Sequence, residues 1–223
     1  QLFQVVAAVR LRDERIAVAN AGTSEVRLYD AAGTYLEAWG SNGEGPGEFM
    51  NLAALAPWAG DSLLAWDRGP RRATVYDESG DLGRTLVFDA FEGADLPQLI
   101  AVLDDGSMVV AGSTGLGELS TQLLRVPRAY SRAAPDGAIL GPLGSFPGPE
   151  SFLEVNLPVS VNVTSYPFAR ETLVTAWNGE VVMSPSDHFV VDVYDTSGAL
   201  VRSVRTDAEA EPLTDGHMAA VVE

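Results

Sequence analysis

The residues best suited to chemistry begin at Asp67 and continue with the arginines Arg68, Arg71 and Arg72. Guanidinium groups beside a carboxylate could hold a small polar ligand, because guanidiniums bind anions through paired N–H groups. The same side chains could instead brace a loop as an Asp–Arg pair within the fold, and we expect that structural role. Asn20 lies at the position that matches Asp67 in an earlier sequence repeat. We therefore take Asn20, Asp67, Arg71 and Arg72 as the candidate ligand face.

A glycine-rich segment, Gly43-x-Gly45-x-Gly47, could be mistaken for a phosphate-binding loop. A dinucleotide loop needs a following helix, whose N-terminus holds the phosphate. Here the next segment, Met50–Pro57, is predicted to be a strand. We therefore interpret the glycines as part of a structural crossover.

Two further positions could carry metal or proton chemistry. Asp104-Asp105-Gly106 could contribute to a calcium site, but calcium needs six to eight oxygen ligands from several segments. A hairpin turn is the preferred interpretation, so no cofactor is expected, with calcium as the alternative. His188 could act as a base, although a surface or capping role is the simpler interpretation. The four tryptophans are expected to pack between sheets, and they are Trp39, Trp58, Trp66 and Trp177.

Composition excludes several classes of chemistry. The 223-residue chain has 14 basic and 31 acidic residues and a formal net charge of −17, which argues against nucleic acid as a partner. It has no lysine and no cysteine, so Schiff-base, P-loop, thiol and disulfide chemistry are absent. No apolar run is long enough for a transmembrane helix.

An internal repeat organises the candidate residues. The segment around Tyr29 (E-V-R-L-Y-D-A-A-G) is an alternating strand followed by a turn, in which Asp30 accepts backbone hydrogen bonds and Gly33 adopts a positive φ. The same Tyr-Asp-x-x-Gly pattern recurs at Tyr76 and Tyr194, and a degenerate copy lies at Ala129–Gly137.

Each copy is surrounded by alternating apolar segments, which gives four strands per repeat. Such a sheet has two apolar faces and cannot be stable alone, whereas sheets packed around an axis bury those faces. The pattern therefore predicts an all-β propeller of four-stranded antiparallel blades. The expected blades are 4–40, 50–88, 97–145 and 168–206, with an insertion at 147–167 that adds a strand or a loop, and a helix beginning at 213–223.

The crossover G-S-N-G-E-G-P-G-E-F at Gly40–Phe49 and V-Y-D-x-x-G at Val75–Gly80 resemble the NHL-type six-bladed propellers of bacteria. The resemblance covers Arg15–Gly80 and Arg170–Arg205 well and the part between them loosely. It implies six blades, of which four are visible, so we expect a partial chain.

For function, the sequence leads us to expect a non-catalytic binding or scaffold propeller that is exported to the periplasm or the exterior. It would act as a monomer on a protein or a small polar ligand. The alternative is a metal-assisted lyase or hydrolase that uses the central channel, as some relatives of the family do.

Overall fold

The computed structural model describes residues 1–115, 120–156, 160–165 and 167–208, together with Pro212, Thr214 and Gly216. Strands dominate these residues, with short 3-10 turns at Ala21–Thr23 and Ala59–Asp61. The predicted helix at 213–223 falls almost wholly outside the described residues. In the described part of the chain, no helix has the length and apolar character needed to cross a membrane.

The first two blades are antiparallel sheets whose strands pair in chain order. Their alternating sequences favour this arrangement, because successive side chains of a strand point to opposite faces of the sheet. Between the blades, the glycine-rich crossover carries a short parallel strand pair and leads into a strand, as predicted. The strands are β1 (Val5–Arg10), β2 (Ile16–Asn20), β3 (Glu25–Tyr29), β4 (Tyr35–Trp39), β5 (Ser41–Asn42), β6 (Glu48–Phe49), β7 (Leu52–Pro57), β8 (Leu63–Asp67), β9 (Arg72–Tyr76) and β10 (Leu82–Val87).

The third and fourth blades repeat this topology, and the degenerate repeat copy supplies the third strand of blade three. An additional three-stranded sheet forms where blade three carries a longer connection and the chain crosses to blade four. The strands are β11 (Gln98–Val102), β12 (Met108–Gly112), β13 (Gln122–Leu124), β14 (Arg128–Ala133), β15 (Ile139–Phe146), β16 (Ser151–Asn156), β17 (Ser160–Ser165), β18 (Leu173–Trp177), β19 (Glu180–Ser184), β20 (Val190–Tyr194) and β21 (Leu200–Arg205).

Three apolar cores lie between successive blades, and the strand alternation determines which residue enters which core. In β8, Leu63 and Ala65 face blade one, whereas Leu64 and Trp66 face blade three. Strand β12 is buried on both faces in the same way between blades two and four. Full burial of each large apolar side chain contributes about 1.5–3 kcal/mol, so these interfaces hold the blades together. The predicted propeller of four-stranded blades is confirmed.

The blades are arranged around an axis with the first strand of each innermost. Strand β7 lies between β1 and β11, and β11 also packs beside β18. Because the strands of each blade are antiparallel, two kinds of connection lie at the same end of the propeller. They are the loops that join the second strand to the third and the crossovers to the next blade, and we call this the loop end. The opposite turn end carries the tight turns that join the first to the second strand and the third to the fourth.

The insertion sheet stands at the loop end and follows the order β13-β16-β17. The sequence predicted an extra strand or a loop at 147–167, and the structure places both β16 and β17 there. Strand β13 was not predicted. It pairs through Leu123 with Phe152, far along the chain.

Candidate functional site

Asn20 and Asp67 occupy equivalent places at the loop end, each as the last residue of the second strand of a blade. Both side chains are fully buried. Asn20 Oδ1 accepts a hydrogen bond from the backbone N–H of Phe3 at 2.6 Å. Asp67 accepts three, from Met50 at 2.9 Å, Asn51 at 2.8 Å and Gly69 at 3.2 Å. Both residues therefore fasten the segment that enters the first strand of their own blade.

Arg72 fastens the crossover between blades one and two. Its Nη1 donates to the carbonyl of Glu44, and its Nη2 donates to the carbonyls of Gly45 and Glu48, all at 2.7 Å. Within the described residues Arg72 makes no ion pair with Asp67. Instead of the expected Asp–Arg pair, the two side chains bind separate backbone segments. Asp67 binds the segment that enters β7, and Arg72 binds the crossover. Arg71, the remaining residue of the candidate ligand face, has a positive φ of 53° in the turn before β9.

A charge network that the sequence did not predict joins three loops at the loop end near blade four. Arg125 follows β13, pairs with Asp187 and donates to the carbonyls of Gly148 at 3.2 Å and Pro185 at 2.9 Å. Arg170 donates to the same Asp187 oxygen at 3.1 Å. These residues lie up to 62 positions apart, so no local pattern could reveal the network.

Glu150 completes this network on its far side. Its carboxylate pairs with the guanidinium of Arg170 and also accepts the backbone N–H of that residue at 3.0 Å. The backbone adds a further link, because the N–H of Glu150 donates to the carbonyl of Arg170 at 2.8 Å. The side chains of Arg125 and Asp187 are only 18% and 25% exposed, which favours a fixed geometry for the loop before β20.

The loop held in this way borders a cleft of about 860 Å³. His188 lines the cleft next to Asp187, and Arg205 and Asp207 line it from the end of β21. His188 is exposed, in keeping with a surface histidine. His188 is nevertheless the one histidine among the described residues, and imidazole is the side chain best suited to proton transfer near neutral pH.

Two smaller clefts of about 450 Å³ and 330 Å³ also open at the loop end, on blade three, and share Thr114. At the turn end, a cleft between blades one and two holds about 50 Å³ and is lined by residues such as Arg12 and Asp61. The loop end therefore offers the larger spaces for a ligand, as expected where loops converge on a rigid scaffold.

Asp104-Asp105-Gly106 forms the turn between β11 and β12. Asp105 Oδ1 accepts hydrogen bonds from the backbone N–H and the hydroxyl of Ser107, at 2.9 Å and 2.6 Å. Burial raises the pKa of the Asp105 carboxyl, whereas these hydrogen bonds lower it, and the net effect is a lowered pKa. Across the residues that the structure describes, no group of three or more His, Asp or Glu side chains is placed to hold a metal ion.

Three of the four tryptophans pack between blades as predicted. Trp39 lies in the core between blades one and two, and Trp58 and Trp66 lie in the next. Trp177 differs, because its side chain is 58% exposed on the outer face of blade four. The prediction of a packing role was wrong for this residue, since no described blade covers that face.

Comparison with solved structures gives two propellers of known activity. A catalytically inactive variant of virginiamycin B lyase from Staphylococcus aureus, solved with quinupristin, is 9% identical, with a TM-score of 0.46 over 91% of this chain and 70% of that chain. A gluconolactonase from Xanthomonas campestris is 18% identical, with a TM-score of 0.48 over 93% of this chain and 77% of that chain. No protein-family profile and no curated protein matches the chain.

These neighbours correct the expectation of a non-catalytic binding or scaffold module, because both are enzymes. At identities of 9% and 18% the similarity itself concerns the fold, and any activity of this chain has to be argued from its own residues.

Proposed function

We propose that this chain belongs to an enzymatic propeller, a hydrolase or lyase that acts on a small polar molecule at the loop end. The observation that carries the proposal is the cleft of about 860 Å³ with His188 on its wall. The loop that carries His188 is held from two sides by Arg125 and Arg170 through Asp187.

The chemistry of both reaction classes requires a proton acceptor. A hydrolase removes a proton from the attacking water, and a lyase removes one from the substrate as a bond to the leaving group breaks. A neutral imidazole can accept that proton near pH 7 and return it to the leaving group. In this proposal His188 is the proton acceptor, and Arg205, which lines the same cleft at the end of β21, binds negative charge on the substrate.

Asp187 acts as a positioning residue. Its carboxylate is occupied by two guanidinium groups, so it fixes the backbone next to His188 and does not itself take the proton. The metal-assisted form of the reaction does not fit the described residues, which hold no ligand cluster. We therefore derive no step through a metal ion.

The finer family assignment is also a proposal. We propose an NHL-type propeller with six blades, supported by the Gly40–Phe49 crossover, and export from the cell. Cell fractionation with an antibody against the full-length protein tests export, and recovery in the cytoplasmic fraction alone would rule it out.

The test of the activity uses the full-length protein with a panel of lactones, carboxylic esters and β-substituted carboxylates. Mass spectrometry of the products separates hydrolysis, which adds water, from elimination, which does not. Replacement of His188→Asn should lower kcat/KM by about 10²–10⁴-fold, the usual contribution of general acid–base catalysis. Glu78→Gln, at the turn end, is the matched exposed control and should leave kcat/KM unchanged. No turnover across the panel, or full activity in His188→Asn, would refute the proposal.

A further inference from the structure

The two adjoining clefts on blade three form a space distinct from the His188 cleft. The smaller, of about 330 Å³, is lined by Gln98 at the start of β11, by Ser113 and Thr114 after β12, and by Arg128 at the start of β14. The larger continues from Thr114 along Tyr130. Together they match the range of small-molecule sites, a few hundred cubic ångströms and more.

Arg128 is the feature of this space that suggests a ligand. Its side chain is half-buried and, among the described residues, forms no ion pair within 4.0 Å, whereas arginines such as Arg27 and Arg125 pair with carboxylates. A cation at this depth in a chain with a net charge of −17 would ordinarily find a carboxylate partner.

One protein contact of the Arg128 guanidinium is with Tyr130. That ring is 2% exposed, and burial raises the pKa of its hydroxyl, while the positive charge of Arg128 and then a hydrogen bond from it oppose the rise. A guanidinium has five N–H donors in a planar fork. One contact with Tyr130 leaves donors that can face the cleft.

The remaining polar groups define the ligand further. Ser113, Thr114 and Gln98 offer neutral donors and acceptors, which suit hydroxyl groups. Asp95 lines the same cleft and can accept a hydrogen bond from a ligand hydroxyl, but it repels a second negative charge. Glu171 adds to this repulsion because its charge acts on the neighbouring Tyr130.

We propose that this space is a binding site for a small hydroxylated monocarboxylate, with its carboxylate on Arg128 and a hydroxyl group near Asp95 and Thr114. A bidentate contact between guanidinium and carboxylate would satisfy the fork of Arg128. Two negative charges would be disfavoured by Asp95, and an uncharged polyol would leave the arginine without a partner. The site does not depend on the hydrolase or lyase proposal, because it concerns binding on blade three alone.

Equilibrium binding on the full-length protein tests this site without any activity assay. Glycerate is the probe, and acetate, glycerol and inorganic phosphate are the comparison ligands, measured by calorimetry or saturation-transfer NMR. Glycerate should bind more tightly than acetate, which lacks hydroxyls, and than glycerol, which lacks charge. Arg128→Gln should weaken glycerate binding by about 10-fold or more, as expected for the loss of a charged hydrogen bond.

Matched variants keep the test decisive. Arg10→Gln removes an exposed arginine at the end of β1, outside both proposed sites, and should leave glycerate binding unchanged. Asp95→Asn should strengthen the binding of phosphate relative to glycerate, because one repelling charge is removed. If Arg128→Gln fails to fold, Thr114→Ala on the shared wall should still weaken glycerate. Absence of glycerate binding, or equal weakening by Arg128→Gln and Arg10→Gln, would overturn the proposal.

Discussion

Asn20 and Asp67 hold the same structural position in successive blades, because each accepts the backbone N–H of the residue two positions before the first strand. That residue is Phe3, ahead of β1, in one blade and Met50, ahead of β7, in the next. The repeat thus preserves a hydrogen-bonding role while the side chain changes from an amide to a carboxylate. The difference is the number of bonds accepted, since Asp67 also binds Asn51 and Gly69.

This relationship predicts that Asp67→Asn destabilises the protein. An amide has one acceptor oxygen, so its NH2 group would face at least one of the N–H donors that the carboxylate now satisfies. A buried donor without a partner costs about 1–3 kcal/mol. The free energy of unfolding, from urea titration, should fall by that amount. Asp81→Asn, an exposed turn residue, is the control, and an equal effect in both variants would contradict the argument.

The fold could be predicted from the sequence because its signals are local. Leu63, Leu64, Ala65 and Trp66 are all apolar, which fits a strand buried on both faces, and the structure places these residues alternately in two cores. Strand β13 escaped prediction because it has three residues and its partner Phe152 lies far along the chain.

The candidate site was harder to predict for the same reason. Asp67 and its arginines are close in sequence, which suggested a ligand face, but Asp67 binds backbone ahead of β7 and Arg72 binds crossover carbonyls. Arg125 and Asp187 come together only through the packing of insertion and blade. No spacing rule connects residues that far apart.

Arg72 provides a second prediction, because its guanidinium binds three carbonyls of one crossover. A lysine ammonium is a compact charge without the planar fork, so Arg72→Lys should lose at least one of these bonds. We expect a loss of about 1–3 kcal/mol in the free energy of unfolding and faster proteolysis within 40–51. Arg71→Lys is the adjacent control. Unchanged proteolysis of the crossover in Arg72→Lys would show that the carbonyl bonds do not hold it.

The turn aspartates predict how stability depends on pH. Hydrogen bonds from the Ser79 hydroxyl and the backbone of Asp81 lower the pKa of Asp77, and those from Ser197 and Ala199 lower that of Asp195. Because the folded pKa lies below the unfolded value, these groups contribute stability above the ordinary aspartate pKa of about 3.9. That contribution is lost as the pH falls below this value and through the lowered folded pKa.

Urea midpoints measured from about pH 6 to about pH 3 check this dependence. The double variant Asp77→Asn with Asp195→Asn should be less stable at the higher pH and should lose less stability on acidification than the parent. Asp89→Asn, which lies outside these turns, is the control. A parent and a double variant with parallel pH curves would show that the turn carboxylates are not responsible.

Gly80 and Gly33 occupy equivalent turns, so substituting each of them tests how much the interface between blades one and two contributes to stability. Both end a Tyr-Asp-x-x-Gly turn with a positive φ, of 88° and 83°. A Cβ on Gly80 would lie 2.2 Å from Nε1 of Trp39, which is buried in the core between blades one and two, whereas a Cβ on Gly33 meets nothing within 4 Å. The backbone strain is therefore shared, and the steric clash belongs to Gly80 alone.

Gly33→Ala should cost about 1–2 kcal/mol, the penalty of an L-residue in the left-handed region. Gly80→Ala should cost about 1–3 kcal/mol more, because the Trp39 indole must shift in a packed core. Urea titration gives both values, and the tryptophan fluorescence of the folded Gly80→Ala protein should change while that of Gly33→Ala stays as in the parent. Equal losses in the free energy of unfolding would mean that Trp39 shifts without an energetic penalty and that the turn of blade two does not stabilise the contact with blade one. A larger loss at Gly80 would show that the turn of blade two stabilises the interface with blade one through its contact with Trp39.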